Sequence, residues 1–210
     1  MHDIVKAILV ALLSYLLGCI ATGLIIAGKS GVNLRELGSK STGASNVLRV
    51  MGLRKGLVTF LGDFLKAIAA CWLGSLLLPS ATFGINGFGM MLAGLCVILG
   101  HNWPVFYGFK GGKGVACSAA VIIFVNPVWG LIAGVLCIAV IATTKFISVG
   151  SMTMLLCYAV LICVNFWGQW FPCVWTLVLF LLCVYRHRAN IQRLMKGTEN
   201  KIGQKAKPAP

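Results

Sequence analysis

Acidic residues are scarce in this chain. Four carboxylates, Asp3, Glu36, Asp63 and Glu199, face eighteen lysines and arginines, and the formal net charge is +14. A catalytic metal cluster needs several carboxylates close together. These four are spread too far apart along the sequence, so neither a catalytic metal nor a cofactor is expected. Nine cysteines are present, yet no two form a C-x-x-C pair. That argues against a zinc site and a disulfide framework, and most of the nine read as small buried apolar side chains. A His-x-x-x-x-Asp base pair is also missing, since Phe106 stands five residues after His101 and Gln192 five after His187. Charged residues of either sign make up only 10% of the chain.

Apolar residues fill the space. The hydrophobic fraction is 59% and mean hydropathy is +0.94, which a soluble domain of this length does not reach. An all-α polytopic membrane protein is expected, and nucleic acid is excluded as the main partner despite the basic balance. A helix needs about 20 apolar residues to cross the hydrocarbon. Residues 4–27, 57–78 and 86–107 supply three such runs. The run 4–27 is too long for a signal-peptide core and is read as a retained span. The run 115–144 is too long for one crossing and is broken by Asn126-Pro127, so it divides into helices 115–125 and 128–144. Residues 149–167 and 171–185 complete a count of seven membrane helices, one of them short. The competing count is five full spans, with 115–144 making one uneven excursion. Residues 1–197 read as one integral membrane domain, and 198–210 as a basic, disordered cytoplasmic tail.

Charge placement orients the chain. Arg35, Lys40, Arg49, Arg54, Lys55, Lys110, Lys113, Lys145 and the basic C-terminal segment lie in alternate connections, while those near 79–85, 126–127 and 168–170 carry no Lys or Arg. The positive-inside rule then puts the basic connections in the cytoplasm, the N-terminus outside and the C-terminus in the cytoplasm.

Four polar clusters share the basic face. Gly38 to Arg49 combines Ser39, Ser41, Thr42, Ser45, Asn46 and Arg49, and hydroxyls, backbone N–H groups and a bidentate Arg together suit a phosphate. A flexible loop with a helix cap at Thr42 or Ser45 is the plainer alternative. Lys110-Gly111-Gly112-Lys113-Gly114 places two lysines around glycines that let the backbone approach a ligand. It is not a Walker loop, because Tyr107 stands where that spacing needs glycine. Ser148 and Ser151 enter a helix after Lys145 and suit either a cap or a substrate contact. On a helix Arg186, His187, Asn190 and Arg193 share about a third of the circumference, a polar face that suits a site better than a solvated extension. Within the span 57–78, Asp63 and Lys66 stand one turn apart and can neutralise each other.

These clusters resemble the three motifs of the bacterial acyl-phosphate-dependent glycerol-3-phosphate acyltransferase family (PlsY), over nearly the whole chain. Gly38–Arg49 is similar to G-S-G-N-x-G-A-T-N-x-x-R, departing at Lys40, Ser41 and Ser45. Gly100–Ala116 matches G-H-x-x-P-x-x-x-x-F-K-G-G-K-G-V-A-T, whose final Thr is here Cys117. His187, Asn190, Arg193, Gly197 and Glu199 resemble the third motif, and Asp63 with Lys66 resembles a family D-x-x-K pair. The resemblance implies a seven-helix membrane enzyme of the bacterial cytoplasmic membrane with its active site facing the cytoplasm. It implies acyl transfer from acyl phosphate to the sn-1 hydroxyl of glycerol 3-phosphate. Ser39, Lys110, His187 and Asn190 would be catalytic. Ser41, Asn46, Arg49, Gly111, Gly112, Lys113, Ser148, Ser151 and Arg193 would bind substrate. Membrane lipid is the surrounding partner, and a monomer is expected. The rival class is a membrane transporter of an organic phosphate or other anion, with the basic face as its mouth.

Overall fold

The computed structural model describes residues 2–204 and is mainly helical. The helices are α1 (His2–Gly18), α2 (Thr22–Gly28), α3 (Ala44–Met51), α4 (Leu53–Leu77), α5 (Phe88–Asn102), α6 (Val115–Val125), α7 (Pro127–Thr144), α8 (Ile147–Asn165), α9 (Trp170–Arg186) and α10 (Arg188–Met195). A two-residue antiparallel hairpin, β1 (Ala81–Thr82) with β2 (Ile85–Asn86), joins α4 to α5. The described residues form two compact units. One comprises residues 2–121 with 203–204, and the other Ile122–Ile202.

Five helical stretches are long and apolar enough to cross a membrane, and six if α9 and α10, bent by 59°, count as one. The seven read from the sequence include α6, which at 11 residues is shorter than a crossing. The expected division of 115–144 is present. Asn126 caps α7 by accepting from Trp129 N at 3.4 Å, with Pro127 in the first turn, where its missing N–H costs nothing.

In the first unit α4 shows why these helices suit lipid. Leu57, Leu61, Leu65, Trp72 and Leu76 are exposed, whereas Gly56, Thr59, Asp63, Lys66, Ala67, Ala70 and Gly74 are buried. Its apolar stripe faces outward and its small and polar stripe inward. Between helices in lipid, packing takes over from the hydrophobic effect, and small residues permit close backbone approach. Gly18 on α1 and Gly100 on α5 meet this way. A Cβ on Gly100 would fall on Tyr15 O, and one on Gly18 on Val97 O.

Two local features differ from the sequence reading. The apolar run 4–27 is interrupted at 19–21, giving α1 and α2. The segment read as a polar loop contains α3, capped by Gly43 rather than by Thr42 or Ser45.

In the second unit, α7 and α8 form an antiparallel hairpin through Lys145, whose φ is +65°. The left-handed Gly197 (φ +67°) ends α10 and turns the chain back, with Thr198 N donating to Arg193 O at 2.8 Å. Part of the stretch expected to be a free tail is consequently anchored: Ile202 N donates to Lys145 O at 2.8 Å, and the Glu199 side chain is buried. Residues 205–210 lie outside the described residues.

Candidate active site

In the first unit Asn46 builds the loop that precedes α3. It is fully buried. Its Oδ1 accepts from Ser39 N at 2.8 Å, and its Nδ2 points at Leu34 O, Leu37 O and Ser41 O at 3.2, 3.1 and 2.8 Å. The amide expected to touch substrate is committed to backbone, so Asn46 serves a ligand only by shaping residues 34–41. Gly38 has φ +60° and lies against Asn46 Oδ1. Lys40 follows with φ +56°, so the glycine that the family motif carries there would sit without strain where this chain holds a lysine.

What this loop leaves open is chemically specific. Ser39 Oγ is buried and makes no hydrogen bond among the described residues, a costly state for a hydroxyl that a ligand oxygen would relieve. Ser41 Oγ accepts from Gly43 N at 3.4 Å, and half-buried Arg49 lies on the last turn of α3.

The second strip of backbone lies beside the first. A Cβ on Gly43 would meet Gly112 Cα at 4.0 Å, so the N-terminus of α3 and the glycine-lysine loop face each other. Gly112 N donates to His101 O at 3.1 Å. Gly111 packs on His101 O and Pro104, where no side chain fits. Gly114 (φ +78°) then leads into α6, with Ser118 N donating to its carbonyl at 2.7 Å. A glycine loop running into a helix start gathers N–H groups and a partial positive charge, and so suits an anion. Lys110 is exposed and Lys113 half-buried within this loop. Arg35, which sequence reasoning used only for topology, ties the strips together: its Nη2 donates to Tyr107 O at 2.8 Å and to Lys110 O at 3.3 Å.

The second unit gathers three of the remaining expected residues, Ser148, Asn190 and Arg193, on one carboxylate. Glu199 Oε1 accepts from Ser148 Oγ at 3.1 Å and from Asn190 Nδ2 at 2.6 Å, and Oε2 accepts from Arg193 Nε at 2.7 Å. The sequence showed Glu199 as a motif letter and gave it no role. Ser151 Oγ donates to Ile147 O at 2.7 Å within its own helix and is fully buried, so the hydroxyl expected to bind substrate is turned into its helix. His187 is buried at the bend between α9 and α10, its Nδ1 at 2.8 Å from Cys183 O. That bond directs Nε2 to the opposite side of the ring. Among the described residues no group of three or more His, Cys, Asp or Glu side chains is arranged to hold a metal.

A family model described as glycerol-3-phosphate acyltransferase matches residues 8–197. The chain belongs to the glycerol-3-phosphate acyltransferase family. A member from Clostridioides difficile (strain 630) is 41% identical over 210 residues, covering 97% of this chain and 98% of the relative. Another, from Thermoanaerobacter sp. (strain X514), is 40% identical over 200 residues, covering 95% and 97%. Both are named glycerol-3-phosphate acyltransferase. The chain is also similar to the crystal structure of PlsY (YgiH), an integral membrane glycerol 3-phosphate acyltransferase, in its glycerol 3-phosphate form. The TM-score is 0.85, identity is 34%, and 94% of this chain and 96% of that one are covered. Its lysophosphatidic acid form matches with a TM-score of 0.82 at 33% identity, covering 94% and 95%. The acyltransferase family thus spans both units of this chain.

Proposed function

We propose that this protein is a membrane glycerol-3-phosphate acyltransferase that takes its acyl group from acyl phosphate. It delivers that group to the sn-1 hydroxyl of glycerol 3-phosphate, giving lysophosphatidate and inorganic phosphate, and so opens phospholipid synthesis. The observation that carries this reading is the pairing of two phosphate-suited strips: the loop before α3, with its unsatisfied Ser39 hydroxyl, beside the glycine-lysine loop before α6. Both proposed substrates carry a phosphate.

In this reading Ser39, Arg49 and Lys110 hold the phosphate of glycerol 3-phosphate, with Ser41 beside them. Lys113 and the N–H group of Gly111 hold the phosphate of the donor, and Gly112, whose own N–H goes to His101 O, lets the backbone come close to it. Ser148, Arg193, His187 and Asn190 serve the same reaction. His187 stabilises charge developing on the donor, and Asn190 orients the hydroxyl or the carbonyl. The acceptor oxygen attacks the acyl carbon and forms a new ester C–O bond. The bond between the acyl carbon and the phosphate oxygen breaks, and the phosphate leaves with that electron pair and accepts the hydroxyl proton. A mixed anhydride is activated enough for positioning and electrostatics to supply much of the rate. The protein acts as a monomer of seven membrane helices, α6 among them, in the bacterial cytoplasmic membrane. Its N-terminus is outside, and its basic connections and chemistry face the cytoplasm.

The test is to supply purified protein in detergent with glycerol 3-phosphate and acyl phosphate and to identify the product by mass spectrometry. Lysophosphatidate supports the reading. Uptake of glycerol 3-phosphate into sealed vesicles without product would replace it with a transporter.

A further inference from the structure

One buried polar set in the first unit has no part in the chemistry above. Where the first apolar run breaks between α1 and α2, backbone carbonyls lose their helical partners, a costly state at membrane depth. Lys66 Nζ supplies the missing donors, to Gly18 O at 3.0 Å and to Ile20 O at 2.6 Å. Asp63 Oδ1 balances the ammonium at 2.8 Å and accepts from Thr22 Oγ1 at 3.2 Å. Asp63 and Lys66 are 1% and 8% exposed, so each needs the other.

A structural ion pair would end there, but this set includes a third residue. His101 Nδ1 lies 3.2 Å from Lys66 Nζ and 3.5 Å from Asp63 Oδ1. The opposite edge of the same ring, at Nε2, fills the place a Cβ on Gly112 would take, and His101 O receives the Gly112 N–H. Cys117, in the first turn of α6, donates its thiol to Asp63 O at 3.3 Å. The set therefore touches the glycine-lysine loop at Gly112 and the helix that follows it.

We infer that Asp63, Lys66 and His101 are positioning residues for phosphate binding, holding the His101 ring against Gly112 and with it the 110–114 loop in its receptive shape. The inference rests on the reading of that loop as a phosphate site. The ion pair and the α1–α2 break fix one edge of the imidazole, and the other edge becomes a floor for backbone that must come close to an anion. Gly112 has to be glycine because the ring occupies the volume of a side chain.

The experiment is a double-mutant cycle between H101A and G112A in the full-length protein, with KM for acyl phosphate, kcat, inhibition by inorganic phosphate and thermal unfolding measured together. H101A is expected to raise KM at least about tenfold, weaken phosphate inhibition in parallel, and change kcat less than about threefold. The double variant is expected to be no worse than G112A alone, because removing the ring makes room for the new methyl group. D63N, which releases the other edge of the ring, is expected to raise KM in the same direction. H101N is the second variant, held to the same prediction should H101A fail to fold. Unchanged KM in a folded His101 variant, or strictly additive losses in the cycle, would overturn the inference. Loss of folding in both variants would assign the set to the fold alone and overturn it equally. A wild type that makes no lysophosphatidate would instead remove the phosphate reading itself.

Discussion

Glu199 and Asn190 form one of the shortest polar contacts of the second unit, Asn190 Nδ2 donating to Glu199 Oε1 at 2.6 Å. The same carboxylate takes Arg193 and Ser148, so a residue beyond the last helix fixes three side chains from α8 and α10. Glu199→Ala is expected to destabilise the protein by about 1.5–3 kcal/mol for each strong charged hydrogen bond lost, and to lower activity by removing the carboxylate that orients Asn190. Glu199→Gln keeps an acceptor for Ser148 and Asn190 and should lose mainly the Arg193 ion pair. Thermal unfolding in detergent, read beside activity, separates the two. A Glu199→Ala protein as stable and active as wild type would contradict the hub.

Arg49→Ala and Lys110→Ala should each remove a charge-assisted phosphate contact worth about 1.5–3 kcal/mol, or roughly 10- to 150-fold in binding. Glycerol 3-phosphate use should fall by that order while membrane insertion and unfolding temperature stay near wild type. Steady-state kinetics on both variants provide the check, and wild-type constants would withdraw both residues from the site.

Much of this arrangement was legible because its causes are local. Asn126-Pro127 announces a helix end and a new start within two residues, and the structure divides the apolar run there. The Lys-Gly-Gly-Lys-Gly run carries its conformational meaning in its own letters. What the sequence hid depends on distant partners. Within residues 4–27 only Gly18, Thr22 and Gly23 flank the break at 19–21, and the donor that satisfies its carbonyls, Lys66, stands 48 residues from Gly18. Asn46 looked like a ligand group because its backbone partners become visible only once 34–41 curl around it. Glu199 looked like part of a tail because Ser148 lies 51 positions away. The short helix α3 was masked by the glycines, serines and charges around it, which read as a loop.

Gly100→Ala should weaken the α1–α5 crossing, since the new methyl group would fall on Tyr15 O and the helices cannot separate without losing their other contacts. Overpacking of this kind costs about 1–3 kcal/mol. Gly134→Ala, where a Cβ would meet nothing within 4 Å, is the matched control. Thermal unfolding of the pair should fall for Gly100→Ala alone, and equal unfolding would contradict the close crossing.

Orientation is open to a labelling test in a background with the nine native cysteines replaced. Phe83, exposed in the hairpin between α4 and α5, and Gln204, exposed near the C-terminal end, are suitable sites. F83C should react with an impermeant thiol reagent applied to intact cells, and Q204C only after the membrane is opened. The reverse pattern would invert the proposed topology and move the lysine-rich loops to the outer face.

The central claim concerns the donor. The chain has no His-x-x-x-x-Asp pair to activate a hydroxyl against a thioester, and its glycine-lysine loop suits a compact phosphate leaving group approached by backbone N–H groups. Purified protein should be given glycerol 3-phosphate with acyl phosphate or with acyl-CoA, and lysophosphatidate and released phosphate measured together. The account predicts one phosphate per lysophosphatidate from acyl phosphate and negligible product from acyl-CoA. Efficient use of acyl-CoA without phosphate release would contradict both the donor and the role given to Lys113.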